Sequence, residues 1–446
     1  MFTCGCNSLA YCDVRGPHQR SLGGCGSLDF FDLRYRIHTL HDLVYADQER
    51  AVYLLSILAT MRMVTFIFKR LAIIGSLLLF AEVLFRARVW ESVAKPDSHS
   101  GISVTIKRAI NHLEKPVDTV LLGSSRAQWG LDHAMLMAAA HERGLTHINM
   151  SFGGTHWMTI GVLTDWLKRN RPEVQGGIIA TSIAEFTSVG NGTHELGIVY
   201  PFSGFDDRAW LALHVPTDAT DPATFGSYSA LVQYRADIRD LVVHPLDRWR
   251  SLRVSRTGAN WLFDLPANPD NSCTVPIRKQ AACAAFVATT PAERVLVEHC
   301  KSLGPPPAQR GDLGGIEGSK SLLALSPEFM RLKQIRARQI REIGWKIPPL
   351  IVLLPVHKML VDEFYPKGLH EWTLSILQPL ADEGVIQLLD YTDLFYARDG
   401  TDCTAFFDLY HQSAQGRMKL MSQLMPEVRQ KLFSRVEKNP QKLTSK

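Results

Sequence analysis

The sequence predicts an α/β fold in three layers, a central parallel sheet covered by helices on both faces, with a large middle insertion and an N-terminal transmembrane helix. Three observations carry this. From about residue 100 onward, short apolar runs rich in β-formers alternate with amphipathic helical stretches. That rhythm breaks over residues 186–325, where Pro, Gly, Asp and Trp cluster, and then returns. One apolar run ahead of the rhythm reaches bilayer-spanning length.

The N-terminal 60 residues are Cys- and Gly-rich at first and then mixed, and no pattern predicts regular structure there. Residues 71–85 read LAIIGSLLLFAEVLF, with Glu82 as the one acid. Adding residues 64–68 brings the apolar stretch to about 20 residues. It spans a bilayer if Lys69 and Arg70 lie near the inner edge. The predicted limits are 64–88 for an uncleaved signal anchor, 100–436 for the exported domain and 437–446 for a loose tail. Arg62, Lys69 and Arg70 precede the apolar core while Arg86 and Arg88 follow it, so the positive-inside rule biases orientation only slightly. A cleaved signal peptide is the rival reading, although no small-x-small site follows directly; a buried core helix is the third. Met61 and Met63 stand just before the basic-then-apolar segment, where export signals begin, so the pattern predicts translation from one of them.

Residues 117–122 (VDTVLL) predict a buried parallel strand that ends at Gly123-Ser124-Ser125. A helix over 131–143 follows and stops at Gly144. Residues 147–151 (HINMS) predict a second strand, then Gly153-Gly154 and a helix over about 155–169; residues 177–182 (GIIATS) predict a third strand. Inside the insertion, which is expected over the active face, residues 304–319 (GPPPAQRGDLGGIEGS) predict loop. After it come a helix at 327–343, a strand at 350–354, a helix at about 369–383 and a strand at 385–389. A loop at 406–411 and a final helix at about 414–433 close the pattern.

Hydrophobic residues at 46% and charged residues at 21% allow a sizeable core and exclude wholesale disorder. Lys+Arg of 49 against Asp+Glu of 44 gives a net charge of only +5, and no basic block interleaves with aromatics, so nucleic acid is not a predicted partner. Cys4, Cys6, Cys12 and Cys25 lack the C-x-x-C spacing of a zinc site. Cys273, Cys283, Cys300 and Cys403 would either form two disulfides in an exported domain or stay as buried thiols. The sixteen His show no metal-ligand spacing, no P-loop is present, and G-x-S-x-G is absent, so no metal or organic cofactor is expected.

In open α/β sheets ligands bind beyond the carboxyl ends of the strands, so the turns there carry the chemistry. In LLGSSRAQWG, Ser125 stands between a strand and a helix, where a backbone N–H can face an oxyanion; a capping serine is the alternative. In NMSFGGT, paired glycines let the backbone approach a substrate. In FFDLYHQS, Asp408 and His411 stand three apart, as a base and the group that orients it, or as a helix cap beside a solvent-facing His. Arg126 and Trp129 flank the serine, and His156 and Trp157 follow the glycine turn; Arg126, His156 and Trp157 are candidates for substrate contact. His357 follows another strand end, whereas His133 and His141 read as ordinary helix positions.

The order of these turns resembles the SGNH (GDSL-type) hydrolase superfamily, over about residues 115–185 and 327–433. Gly123-Ser124-Ser125 is similar to its first block, with Ser125 at the nucleophile. Asn149 to Gly154 is similar to the second, with Gly154 at the oxyanion hole, and Asp408-Leu409-Tyr410-His411 to the last. The resemblance implies a flavodoxin-like three-layer fold and a catalytic set of Ser125, His411 and Asp408. The nearest flavour is the membrane-tethered branch related to alginate O-acetylation and D-alanyl transfer proteins. That implies an acyl-ester hydrolase or O-acyltransferase on the bacterial inner membrane, single-pass, with its catalytic domain in the periplasm or outside the cell. The implied partners are an acylated carbohydrate or envelope polymer and a multispanning acyl-transfer protein. One departure stands out: the third block normally supplies an oxyanion Asn, but residues 180–185 read ATSIAE, leaving Ser182 or Thr181 as the donor. That departure keeps open a catalytically inactive glycan-binding or scaffold component of a polymer export or modification assembly.

Overall fold

The computed structural model describes residues 30–87, 89–95, 98–187, 197–204, 229–255, 277–304, 327–397 and 400–437. The chain divides into two compact units, Met1–Leu79 and Phe80–Lys446. The first contains most of α1 (Phe30–Arg86), a single helix of 57 residues. Its segment Val52–Arg86 has a mean hydropathy of 1.9 and is long and apolar enough to cross a membrane. The helix corrects the expectation of irregular structure before residue 60, and it begins well ahead of the expected 64–88. Between Phe30 and Ile74 there is no Gly or Pro to end it, and Leu, Ala and Arg recur throughout. Residues 1–29, with Cys4, Cys6, Cys12 and Cys25, lie outside the described residues.

The second unit is built on a five-stranded parallel sheet in the order β2-β1-β3-β4-β5. The strands are β1 (Thr119–Gly123), β2 (His147–Ser151), β3 (Gly176–Thr181), β4 (Leu350–Leu353) and β5 (Gln387–Asp390). All four pairings are parallel. The chain steps from β1 outward to β2 and then back across to β3, so the strand order reverses beside β1, where a crevice opens in such sheets.

Period-two alternation divides the strand residues between two cores. Val120, Leu122, Ile148, Met150, Ile179 and Ile351 face one layer. That layer is formed by α2 (His99–Asn111), α5 (Trp157–Asn170), α12 (Pro327–Glu342) and α13 (Leu369–Asp382). Leu121, Ile178, Ala180 and Val352 face the other, with α4 (His133–His141) and α14 (Ala414–Val428). Both faces are therefore covered, which is why the central strands β1, β3 and β4 are almost wholly apolar, while β2 at one edge alternates polar and apolar residues. The sequence-predicted strands and helices of this unit appear within a few residues of their expected limits.

Within the insertion the described residues are helical more than irregular. They take in the end of α6 (Ile183–Thr187) and the whole of α7 (Ala230–Gln233), α8 (Arg235–Val243), α9 (Pro245–Ser255), α10 (Gln280–Ala285) and α11 (Pro291–Ser302). α11 opens on a capping box of Thr290 and Glu293, with Pro291 in the first turn. A disulfide joins Cys283 of α10 to Cys300 of α11, and Cys403 is disulfide-bonded as well. Most of the predicted 304–319 loop, Cys273 and the tail beyond residue 437 lie outside the described residues.

Candidate active site

The site is assembled at the carboxyl edge of the sheet, beginning where β1 ends. A Cβ on Gly123 would collide with the Ala180 carbonyl and with the Ala127 side chain, so only glycine lets the first turn pass this close to β3. The two serines that follow divide the work. Ser124 is the N-cap of α3 (Ser125–Gly130): its Oγ accepts from Arg126 N at 3.2 Å and donates to Glu185 Oε1 at 2.5 Å. The capping role thus falls to Ser124, and Ser125 keeps a half-buried hydroxyl 2.9 Å from His411 Nε2.

Asp408 and His411 come from the loop ahead of α14. Asp408 Oδ1 accepts from the backbone N–H groups of Tyr410 (2.7 Å) and His411 (2.8 Å), which folds the loop into a tight turn. Its Oδ2 stands 2.7 Å from His411 Nδ1. One carboxylate therefore does what the sequence offered as alternatives, capping its own turn with one oxygen and orienting the imidazole with the other. The cap of α14 itself is Ser413, whose Oγ accepts from Gly416 N. A Cβ on Gly416 would run into the Ala405 carbonyl, so the helix lies flush against the 3-10 turn at Cys403–Ala405 that leads to Asp408.

Burial pushes the Asp408 carboxyl up, but the bonds from His411 and from the two backbone N–H groups outweigh it and hold the group below the ordinary carboxylate value. An ionised Asp408 requires the proton on His411 Nδ1, which leaves Nε2 as acceptor for the Ser125 hydroxyl. The side chains of His411 and Asp408 are 22% and 14% exposed, open enough for a substrate yet partly shielded from water.

The turn after β2 lies beside the nucleophile. Phe152 N donates to Gly123 O at 2.9 Å, tying the two turns together. The Cβ position of Gly153 is 3.9 Å from Ser125 Cβ, and Gly154 has a left-handed φ of 77°. Asn149 is buried and accepts from Ser151 N and Oγ, which shapes the turn from within.

The remaining predicted residues distribute differently. The Ser182 backbone N–H is engaged by Glu185 Oε2 at 2.9 Å, and its buried hydroxyl has no partner. Arg126 is buried, donates to Tyr365 Oη at 3.1 Å and lies over the Tyr410 ring at 5.0 Å, so its guanidinium is held by protein groups. His156 is half-buried at the start of α5 and caps nothing; its Nδ1 lacks a partner. Trp157 does not line an opening, contrary to its expected role: the first turn of α5 points it into the core, 1% exposed and 4.7 Å from the Phe186 ring. Trp129 is half-buried, His141 is exposed and His133 is buried 5.6 Å from the His147 ring. His357 is buried, accepts from Met359 N through Nδ1, and is driven by burial to a pKa of about 3.

Glu185, Tyr365 and His299 were not singled out by sequence reasoning. Glu185 takes hydrogen bonds from Ser124, Thr181 and Ser182 and lies 3.9 Å from the Arg126 guanidinium. A signal existed: Ser182 and Glu185 have the spacing of a capping box. For His299 no local signal existed. It arrives on α11, next to disulfide-bonded Cys300, with its ring 4.7 Å from that of Tyr410. Burial lowers its pKa, opposed by Asp408 and reinforced by His411.

Among the described residues no group of His, Cys, Asp and Glu is arranged to hold a metal. No protein-family model matches the chain, and no curated protein matches it.

Proposed function

We propose that the protein is a periplasmic or cell-surface serine acyl-ester hydrolase or O-acyltransferase that acts on a polysaccharide or another envelope polymer. The observation that supports the chemistry best is the chain Ser125 Oγ, His411 Nε2, His411 Nδ1, Asp408 Oδ2, with links of 2.9 and 2.7 Å. Ser125 Oγ attacks the ester carbonyl carbon while His411 Nε2 takes its proton. Asp408 keeps the ring oriented and faces the imidazolium. The alcohol leaves with the proton from His411, and the acyl group stays on Ser125. Water, in an esterase, or a sugar hydroxyl, in a transferase, then attacks; His411 takes that proton and returns it to Ser125. The backbone N–H groups of Ser125 and Gly154 are assigned to the oxyanion.

The envelope setting has separate support. The disulfides favour an oxidising compartment, and α1 supplies the tether to an inner membrane. The polymer substrate and a multispanning acyl-handling partner rest on the resemblance to SGNH hydrolases. A fluorophosphonate probe tests the reading: covalent labelling at Ser125, lost in Ser125→Ala, is the expected result. Turnover of p-nitrophenyl acetate with and without an oligosaccharide acceptor separates esterase from transferase.

A second reading, a catalytically inactive glycan-binding or scaffold component, is favoured by one observation. The strand end that carries an oxyanion Asn in SGNH enzymes here carries Ser182, whose N–H is already bound to Glu185. Absence of labelling on folded protein would select it.

A further inference from the structure

His299 enters the site from the insertion, and the structure fastens it there. α11 opens on its capping box, where the Glu293 carboxylate accepts from Thr289 N, Thr289 Oγ1 and Thr290 N at 2.7, 2.7 and 2.9 Å. The Cys283–Cys300 disulfide ties the residue after His299 to α10. Gln280 of α10 donates from Nε2 to Cys300 O at 2.9 Å, and from its backbone N–H to Glu363 Oε2 at 3.1 Å. Ahead of α10, Ile277 forms a bridge to Thr401, in the run that leads to Asp408. The α10–α11 pair is thus attached to the segments that carry Tyr365 and Asp408.

At the end of these ties the His299 ring lies 4.7 Å from the Tyr410 ring. Arg126, the residue after the nucleophile, stands over that same ring at 5.0 Å and donates to Tyr365 Oη. Asp408 and His411 are close enough for both to act on the His299 imidazole. Among the described residues, none hydrogen-bonds either nitrogen of the half-buried ring. Packing on Tyr410 alone asks for no nitrogen, since Phe would fill the place without taking a polar group partly out of water. An imidazole held there without a partner is arranged to meet a group that arrives from solution.

The surroundings say which group. Burial lowers the His299 pKa, opposed by Asp408 and reinforced by His411, so the ring is neutral at neutral pH and offers one donor and one acceptor. That matches a hydroxyl, which is also both, and brings no charge to an anion. Arg126, the cation beside the serine, does not supply one either: it is buried and held by Tyr365, Tyr410 and Glu185. In the proposed reaction His411 gives its proton to the departing alcohol and takes it from an attacking one, so the alcohol part of the ester lies beside His411, with Tyr410 and His299 as neighbours.

We infer that His299 is a substrate-binding residue that hydrogen-bonds a second hydroxyl of that alcohol. The preferred substrate is then an ester of a polyhydroxylated alcohol, such as a sugar, rather than a simple alkyl or aryl ester. The inference rests on the reading of Ser125 as an acyl-transfer nucleophile and deepens it.

The test uses the full chain in detergent micelles and two esters of one acyl group. In a methyl glucoside monoacetate the alcohol carries free hydroxyls; in p-nitrophenyl acetate it carries none. The quantity read is the ratio of the two kcat/KM values. His299→Phe keeps a ring against Tyr410 and should lower that ratio about three- to tenfold, the loss expected for one uncharged hydrogen bond. His299→Gln, which restores a donor and an acceptor, should hold it within about twofold of wild type. Circular dichroism and fluorophosphonate labelling of Ser125 report on the fold and the serine of each variant. A ratio unmoved by His299→Phe overturns the inference, and so does an equal loss on both esters, as a merely structural role would give. A ratio that falls as far in His299→Gln overturns it too. Wild type that labels and cleaves p-nitrophenyl acetate but not the sugar ester overturns the inference alone. Wild type that neither labels nor cleaves either ester removes the reading of Ser125, and the inference with it.

Discussion

The loop ahead of α14 and the turn after β3 each bring a carboxylate to the Ser124–Ser125 pair, Glu185 bonding Ser124 directly and Asp408 reaching Ser125 through His411. Asp408 and Glu185 look alike by burial and by the number of hydrogen bonds they accept. Their partners differ. Glu185 holds two hydroxyls and a backbone N–H, none of which titrates near neutral pH, and so clamps β3 to the cap of α3. Asp408 holds a backbone turn on one oxygen and an imidazole on the other. In the proposed reaction only the imidazole gains a proton, so Asp408 is the carboxylate that would stabilise a charge that appears and disappears. What separates a structural carboxylate from a chemical one here is the titratability of its neighbour.

That contrast can be broken by substitution. The largest effect is expected for Ser125→Ala, which should lower kcat by about 10^6-fold and remove probe labelling, with little change in melting temperature. Asp408→Asn should cost about 10^4-fold in kcat, because an amide selects the wrong imidazole tautomer, with the fold retained by circular dichroism. Glu185→Gln should do the reverse: under tenfold in turnover, but about 1–3 kcal/mol of stability in denaturant titration, since Ser124, Thr181 and Ser182 lose a charged acceptor. A Glu185→Gln variant of full stability and Asp408-like kinetics would erase the distinction.

Two smaller effects sharpen it. Gly154→Ala places a Cβ on a left-handed residue, costing about 1–2 kcal/mol if the turn is kept. If Gly154 serves the oxyanion, kcat should fall more than KM rises. His357 offers a buried titratable group with no carboxylate in hydrogen-bond contact. Its folded pKa of about 3 lies below the unfolded value, so the unfolded chain binds the proton first as pH falls. Its contribution is complete above the unfolded value and is lost as pH drops toward about 3, at no more than about 1.4 kcal/mol per pH unit. His357→Gln should flatten that part of the stability profile, measured by urea titration across acidic pH.

Much of this was legible in the chain because it is local. The apolar runs of β1, β3 and β4 announce strands buried on both faces. Gly123, Gly154 and the Asp408-x-x-His411 spacing mark turns. The helix over Phe30 to residue 60 was not legible, since it has no amphipathic face to produce a period. Trp157 was misplaced because sequence shows that it follows a turn, but not which way the first turn of a helix points it. His299 was invisible because its neighbour, Tyr410, is more than a hundred residues away in sequence.

The amino-acid sequence by itself determined the strand and helix order, an apolar helix of membrane-spanning length, and the choice of Ser125, Asp408 and His411 as candidate residues. Only the tertiary structure decided the strand order 2-1-3-4-5, the division of capping and hydroxyl roles between Ser124 and Ser125, the clamp at Glu185 and the placement of His299 against Tyr410. The physical reason is range. Propensity, periodicity and turn chemistry act over a few residues. A hydrogen bond between Ser125 and His411 joins groups 286 residues apart, and exists only once the parallel sheet has brought β1 and the loop before α14 to the same edge.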